Sequence, residues 1–459
     1  MRRTHCHLYR LSVNQVLLLV AAACCGQGAA KPVWGQSISV RPQDGIVDER
    51  LAIRITGLKP KEPVIIRASM QDAEGRLWQS YAGFYADAHG SVDLAAQAPD
   101  NGTYTGIDVM GLIQSMNLPG NDHNRARFTL KGTDPLIIKY SVEIDGKEAT
   151  ATEVTRRFLA ANGRKEDIRT DGLIGTLFTP SGEGPFPGVI LLGGSEGGLS
   201  SEDVAAVLAS RGYAALALAY FKMEGLPSSL EEIPLEYFKR AIDWMLKLRQ
   251  VRSGGVALIG TSKGAEAALL TASHYKEVRA AVGYVPSSVV WSCICGAPNK
   301  SSWSFEGKPV PFIPQATNPT YRPPPGFPIS PATNYLYRLK STQSVQQAII
   351  PVEKINGPVL LISAKNDQVW PSSLLASMVM RRLKGRRHPF ANQHLDYELA
   401  GHLIGKAYLP SGSTLIAGGR FATGGTPEGN ARAQQDSWPK VLKFLDTSLR
   451  LQQRTATQR

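Results

Sequence analysis

Residues 256–275 constrain the fold more than any other stretch of the chain. Val256-Ala257-Leu258-Ile259 is an unbroken apolar run, Gly260-Thr261-Ser262-Lys263-Gly264 follows it directly, and an alanine-rich helical stretch runs on to residue 275. A short apolar run of this kind suits a strand buried on both faces, which belongs to a parallel sheet covered by helices. Gly-x-Ser-x-Gly between such a strand and a helix demands a sharp bend. Side chains at positions 260 and 264 would strike neighbouring elements, and the serine hydroxyl is lifted above the sheet. The chain from about residue 172 repeats the same alternation. Strand-like runs at 187–192, 213–220, 280–284 and 359–362 are interleaved with helical patterns at 202–211 and 237–248. Strands alternating with helices predict an α/β architecture, a doubly wound and mainly parallel sheet of the α/β-hydrolase type, over 165–450.

The first part of the chain reads differently. Short segments at 51–55, 63–68, 78–85 and 136–142 are rich in β-formers and separated by turn residues such as Asp100-Asn101-Gly102. That spacing predicts a small immunoglobulin-like β-sandwich over 37–150. Ahead of it, Arg2, Arg3 and Arg10 precede the apolar run 16–23 and then small residues up to Ala30. A basic start, a short apolar core and a small-residue zone predict a secretory signal over 1–30, hence a periplasmic or secreted protein. A mis-set start codon would make it cytoplasmic. The run is too short for a membrane span, which takes roughly 20 residues.

An apolar fraction of 43 % with 19 % charged residues fits a core-forming globular chain rather than a disordered one. The formal charge of +13 is scattered apart from a cluster at 381–387, so it reads as a solubility feature and not as a nucleic-acid footprint. Beyond the leader only Cys293 and Cys295 remain. A Cys-x-Cys bridge is expected to be strained, and zinc would need a second ligand pair, so two ordinary thiols are expected and no metal or cofactor. The segment 293–347 interrupts the alternation. Its 296–331 portion is rich in Pro, Ser and Asn, which predicts a cap or binding loop over a site.

A hydroxyl needs a base to act as a nucleophile at neutral pH. In chains with this turn the carboxylate follows a later strand and the histidine comes last. Asp367 stands directly after the 359–362 run, and His402 follows in Ala400-Gly401-His402. The order Ser262, Asp367, His402 therefore names a candidate catalytic triad. His388 and His394 are competitors near the basic stretch, and Asp396 and Asp243 are rival carboxylates, the latter on a helix surface. For an oxyanion, the backbone N–H of Lys263 at the helix start is one donor. Ser195 or a neighbour in Gly193-Gly194-Ser195-Glu196-Gly197-Gly198 is the other. That loop lacks the Lys-Ser/Thr ending of a phosphate-binding loop.

The residues also resemble a known family. Leu77-Trp78-Gln79-Ser80, Gly90-Ser91-Val92-Asp93-Leu94 and Gly106 to Met116 are similar to the N-terminal domain of the acyl-CoA thioesterase and bile acid-CoA:amino acid N-acyltransferase family. Gly260 to Gly264, Ala400-Gly401-His402 and the stretch from Gly424 to Pro439 are similar to its catalytic domain. The resemblance implies a serine hydrolase that cleaves an acyl thioester, a small-molecule substrate, through an acyl-enzyme on Ser262. In it His402 would be the base and Asp367 its orienting partner. Members that conjugate amino acids typically carry Cys at the nucleophile position, so serine favours hydrolysis. The alternatives are an exported carboxylic-ester or lactone hydrolase, an acyl-CoA:amino acid N-acyltransferase, and a non-catalytic exported binding protein.

Overall fold

The computed structural model describes residues 35–120, 126–296, 299–405 and 408–450, so the leader predicted at 1–30 lies outside the described residues. Among the described residues nine strands come first: β1 (Ser37–Arg41), β2 (Asp44–Ile46), β3 (Ala52–Thr56), β4 (Pro63–Gln71), β5 (Leu77–Tyr85), β6 (Val92–Asp93), β7 (Asn101–Gly102), β8 (Leu136–Ile144) and β9 (Lys147–Arg157), with a single-turn helix α1 (Gly111–Gln114). They form two sheets, ordered β1-β3-β6 and β2-β9-β8-β4-β5-β7. Alternation along β4 and β5 sends Val64, Ile66, Ala68, Met70, Trp78, Ala82 and Phe84 inward. There they meet Val40, Ile53, Ile55 and Val92 of the smaller sheet in one core. The four predicted strands are all present as β3, β4, β5 and β8.

The second region contains strands β10 (Arg164–Thr170), β11 (Leu173–Thr179), β12 (Phe186–Leu192), β13 (Ala214–Ala219), β14 (Ile233–Pro234), β15 (Val251–Thr261), β16 (Val278–Tyr284), β17 (Trp303–Phe305), β18 (Lys308–Pro309), β19 (Val359–Ala364), β20 (Gln393–Tyr397), β21 (Leu415–Ile416) and β22 (Phe421–Ala422). Its helices are α2 (Glu202–Ser210), α3 (Leu235–Lys247), α4 (Lys263–His274), α5 (Ala332–Arg338), α6 (Thr342–Ala348), α7 (Ser372–Gly385) and α8 (Pro427–Leu445). The main sheet has the order β10-β11-β13-β12-β15-β16-β19-β20. β10 pairs antiparallel with β11 and β11 with β13, while every later pairing is parallel. This is the α/β-hydrolase arrangement the sequence predicts.

Burial on both sheet faces explains the apolar runs. Val189, Leu191, Ala257 and Ile259 belong to the core on one face. Their neighbours Ile190, Leu192, Val256 and Leu258 belong to the core on the other. The first face is shared with the two-sheet region, and the junction is polar at its rim. Asp48 accepts from Arg211 at 2.5 and 3.0 Å and from Trp438 Nε1 at 2.8 Å.

The interrupting segment and its flanks carry β17, β18, α5 and α6, and together with the stretch after β19 they build a third core. Val289, Trp291, Ile313 and Ala348 pack with Trp370 and Leu375. The segment also lies against the loop that holds Asp367, because Ala332 N and Ser330 Oγ donate to Gln368 O at 3.0 and 3.2 Å. One expectation is corrected. Cys293 and Cys295 are joined in a disulfide rather than standing as two free thiols. The intervening Ile294 turns to solvent at 47 % exposure. The two Cα atoms then stand 5.4 Å apart, within the span a bridge requires.

Candidate active site

The bend after β15 has the form its sequence demands. Ser262 sits at φ 56°, ψ −119°, outside the regions L-residues ordinarily occupy. Such strain costs about 1–3 kcal/mol and persists only where the surroundings enforce it. The enforcement is visible: Ser262 N donates to Tyr284 O at 2.9 Å, and Ser262 O accepts from Ala265 N and Glu266 N at 2.9 and 3.1 Å. A Cβ at Gly260 would lie 2.1 Å from Gly264 O, and one at Gly264 would lie 2.1 Å from Leu192 O. Both glycines are therefore required by close backbone packing, as the motif implies.

The structure brings the three triad candidates together from three separate segments. His402 Nε2 is 2.9 Å from Ser262 Oγ, and Nδ1 is 2.8 and 3.0 Å from the two oxygens of Asp367. A carboxylate can only accept, so Nδ1 carries the hydrogen and Nε2 presents its lone pair to the serine O–H. Asp367 is 7 % exposed and is fixed by Val369 N at 2.9 Å and Trp370 N at 3.2 Å. His402 is placed by its own N–H to Thr423 O at 2.8 Å, and Gly401 N donates to Asn430 Oδ1 at 2.9 Å. The imidazole stands nearly perpendicular to the Trp370 ring, the centres lying 5.8 Å apart.

The competitors lie elsewhere. His388 Nε2 is bonded to Ile355 O at 2.8 Å, and Asp243 is paired with Lys239. His394 Nε2 is 2.7 Å from Ser363 Oγ, which itself donates to Asp396 at 2.6 Å. There the serine, rather than the imidazole, bridges the other two, and Ser363 is fully buried, so this second Ser-His-Asp group has no exposed nucleophile. Among the described residues no group of three or more His, Cys, Asp or Glu side chains could hold a metal ion.

The oxyanion candidates are placed as follows. The N–H of Lys263 opens α4, where the first amides have no partner within the helix. The loop 193–198 lies alongside, since a Cβ at Gly194 would stand 3.4 Å from Thr261 O. Ser195 and Glu196 are the exposed residues of that loop, while Gly193 and Gly194 are buried. Sequence reading missed the Lys263 side chain altogether. It is buried and paired with the equally buried Glu266 at 2.6 Å, and lies 5.4 Å from the centre of the Trp303 ring. Burial pushes the Lys263 ammonium below its ordinary range and Glu266 above its own. Glu266 also accepts from Trp303 Nε1 at 2.8 Å and Trp291 N at 3.2 Å. A helix hydrophobic on all its faces, as the alanines of α4 show, was the one available sign that a Lys and a Glu on it would be interior.

Comparison with known proteins bears on this constellation. Residues 233–451 match the family model described as BAAT / Acyl-CoA thioester hydrolase C terminal, and residues 48–170 match Acyl-CoA thioester hydrolase/BAAT N-terminal region. Acyl-coenzyme A thioesterase 1 of Mus musculus is 32 % identical over 415 residues, 88 % of this chain and 94 % of that protein. The chain belongs to the BAAT/acyl-CoA thioester hydrolase family. Acyl-coenzyme A amino acid N-acyltransferase 1 of Mus musculus is 33 % identical, over 88 % of this chain and 95 % of that protein. Acyl-coenzyme A thioesterase 2, mitochondrial, of Homo sapiens is 32 % identical over 88 % and 82 % respectively. The BAAT/acyl-CoA thioester hydrolase family thus includes relatives named for hydrolysis and relatives named for transfer to an amino acid.

Proposed function

We propose that this protein hydrolyses acyl thioesters, with an acyl-CoA as substrate, by a Ser262–His402–Asp367 mechanism. One observation carries the reading: a strained serine hydroxyl 2.9 Å from an imidazole whose other nitrogen is held by a buried carboxylate, in a chain of this family. Ser262 Oγ attacks the acyl carbon while its proton passes to His402 Nε2. The carbonyl electron pair moves onto oxygen, then returns as the carbon–sulfur bond breaks and the thiolate takes the proton from Nε2. Water, losing its proton to Nε2, then attacks the acyl carbon, and the carbon–Oγ bond breaks as Ser262 Oγ takes that proton back, releasing the acid. Asp367 keeps the imidazole in the required tautomer and stabilises the imidazolium.

The similarity to an amino acid N-acyltransferase supports a second reading, in which an amine instead of water accepts the acyl group from the same acyl-enzyme. Palmitoyl-CoA offered with and without glycine or taurine separates the two. Hydrolysis predicts one free fatty acid per thiol released, with or without the amine, whereas an acyl-amide product overturns it. Parallel p-nitrophenyl esters test the leaving group. The thioester reading predicts the higher kcat/KM on palmitoyl-CoA, and a preference for simple esters by orders of magnitude would replace it with a carboxylic-ester hydrolase. Export is part of the proposal, on the strength of the leader-like pattern at 1–30. N-terminal sequencing of the protein from its own cell is expected to begin near residue 30, and a start at Met1 or Arg2 would count against export.

A further inference from the structure

The glycine loop beside the nucleophile is held by a side chain from the next strand. Tyr220 directly follows β13, is 2 % exposed, and donates its hydroxyl to Gly193 O at 2.6 Å, with Gly194 O at 3.5 Å. Its ring is wedged against Phe238 and Trp303, the centres 5.5 and 5.9 Å away. Trp303 in turn donates to Glu266 on α4, so the phenol is braced against the helix that Ser262 opens. Burial, with Glu196 and Glu266 adding to it, raises the phenol well above its ordinary range and keeps it a donor.

The peptides at 193–194 and 194–195 are trans, and in a trans peptide the C=O and N–H point in opposite directions. Pinning Gly193 O towards Tyr220 therefore turns Gly194 N–H away from it, and the weaker hold on Gly194 O does the same for Ser195 N–H. Among the described residues neither N–H has a hydrogen-bond acceptor. Gly194 is a buried residue, and an amide of such a residue left without a protein acceptor stands free to serve a ligand. It is also the loop residue that abuts Thr261, next to the nucleophile.

We propose that Tyr220 is a positioning residue for the oxyanion: it fixes the Gly193 carbonyl so that Gly194 N–H, together with Lys263 N–H, faces the oxygen that becomes negative when Ser262 attacks. This rests on the serine-hydrolase reading above and moves the second donor from Ser195 to Gly194. Tyr220 neither gives nor takes a proton. Its contribution is that the donors need no rearrangement as charge develops, which is where such dipoles act most strongly.

The test is Tyr220→Phe in the full chain, which removes one oxygen and keeps the ring. Turnover is counted per site titrated to completion with a fluorophosphonate, so unfolded chains do not enter. kcat is expected to fall roughly 10- to 100-fold, less than the 10²–10³-fold loss when such a donor is itself deleted, with KM little changed. A trifluoromethyl ketone analogue of the acyl group, which forms an oxyanion on Ser262, is expected to bind more weakly by the same factor as kcat/KM. Binding of the product fatty acid should be unaffected. Wild-type kcat in Tyr220→Phe, or equal weakening of analogue and product, overturns the positioning role while leaving the serine-hydrolase reading intact. Normal turnover in Ser262→Ala overturns that reading, and this one with it.

Discussion

Ser262→Ala is expected to lower kcat on palmitoyl-CoA by roughly 10⁴–10⁶-fold, and His402→Ala to fall to nearly the same floor, because nucleophile and base act as one unit. The Ser262→Ala/His402→Ala double variant is expected to be no slower than either alone. The reason lies in the geometry: His402 Nε2 has one visible task, the proton of Ser262 at 2.9 Å, and without that hydroxyl the imidazole has nothing to activate. Fluorophosphonate labelling should vanish in Ser262→Ala and slow sharply in His402→Ala. Asp367→Asn should cost roughly 10⁴-fold, since an amide can donate to Nδ1 and so favours the wrong tautomer. Stability supplies an independent check. At φ 56° a glycine is unstrained, so Ser262→Gly is expected to be more stable than Ser262→Ala by about 1–3 kcal/mol while equally inactive. Additive losses, with the double variant far below both singles, would separate the two residues mechanistically. Equal thermal midpoints for the Gly and Ala variants would show that the bend stores no strain.

The parts of this architecture that were legible in the sequence are those whose residues each face one kind of environment. β12, β13, β15, β16 and β19 are buried on both faces, so their apolar runs announce them. That Ser262, Asp367 and His402 are the residues to look for together was legible because the bend singles out the serine and chain order selects the other two, and their side chains do meet. β9 and β10 were not legible: Lys-Glu-Ala-Thr-Ala-Thr-Glu-Val-Thr-Arg-Arg and Arg-Lys-Glu-Asp-Ile-Arg-Thr leave most of their side chains exposed or half-buried and owe their strand form to their partners β8 and β11. The third core escaped for a different reason. Trp291, Tyr335 and Trp370 are scattered through loops and short helices, and no local period links them, yet their rings meet edge to face at 4.7 and 5.8 Å. Through Tyr335 the insertion at 293–347 is thus tied to Trp370, which touches both His402 and Asp367. Tyr220 read as the end of a strand, and only the fold shows where its hydroxyl lands.

The largest stability effect is expected at Glu266. Glu266→Leu leaves the Lys263 ammonium buried without its counter-charge and orphans the Trp303 and Trp291 N–H groups, a loss of about 3–5 kcal/mol. The pair is not itself a source of stability at neutral pH. Burial, the larger cause, sets Glu266 above its ordinary range, opposed by Lys263. Its contribution is therefore full below the unfolded value and is lost as pH rises through the folded one. Burial likewise sets Lys263 below its range, opposed by Glu266. Its contribution is full only above the unfolded value and is lost as pH falls through the folded one. Near pH 7 folding thus works against both charges, and each is tolerated because the other is there. Lys263→Met/Glu266→Gln removes both charges but keeps an acceptor for the two tryptophan N–H groups. It is expected to lie within about 2 kcal/mol of the wild type, well above Glu266→Leu. Urea unfolding followed by tryptophan fluorescence reads the difference. If the neutral pair proves as unstable as Glu266→Leu, shape rather than charge governs this position. The ion pair would then be a by-product of packing Trp303 against α4.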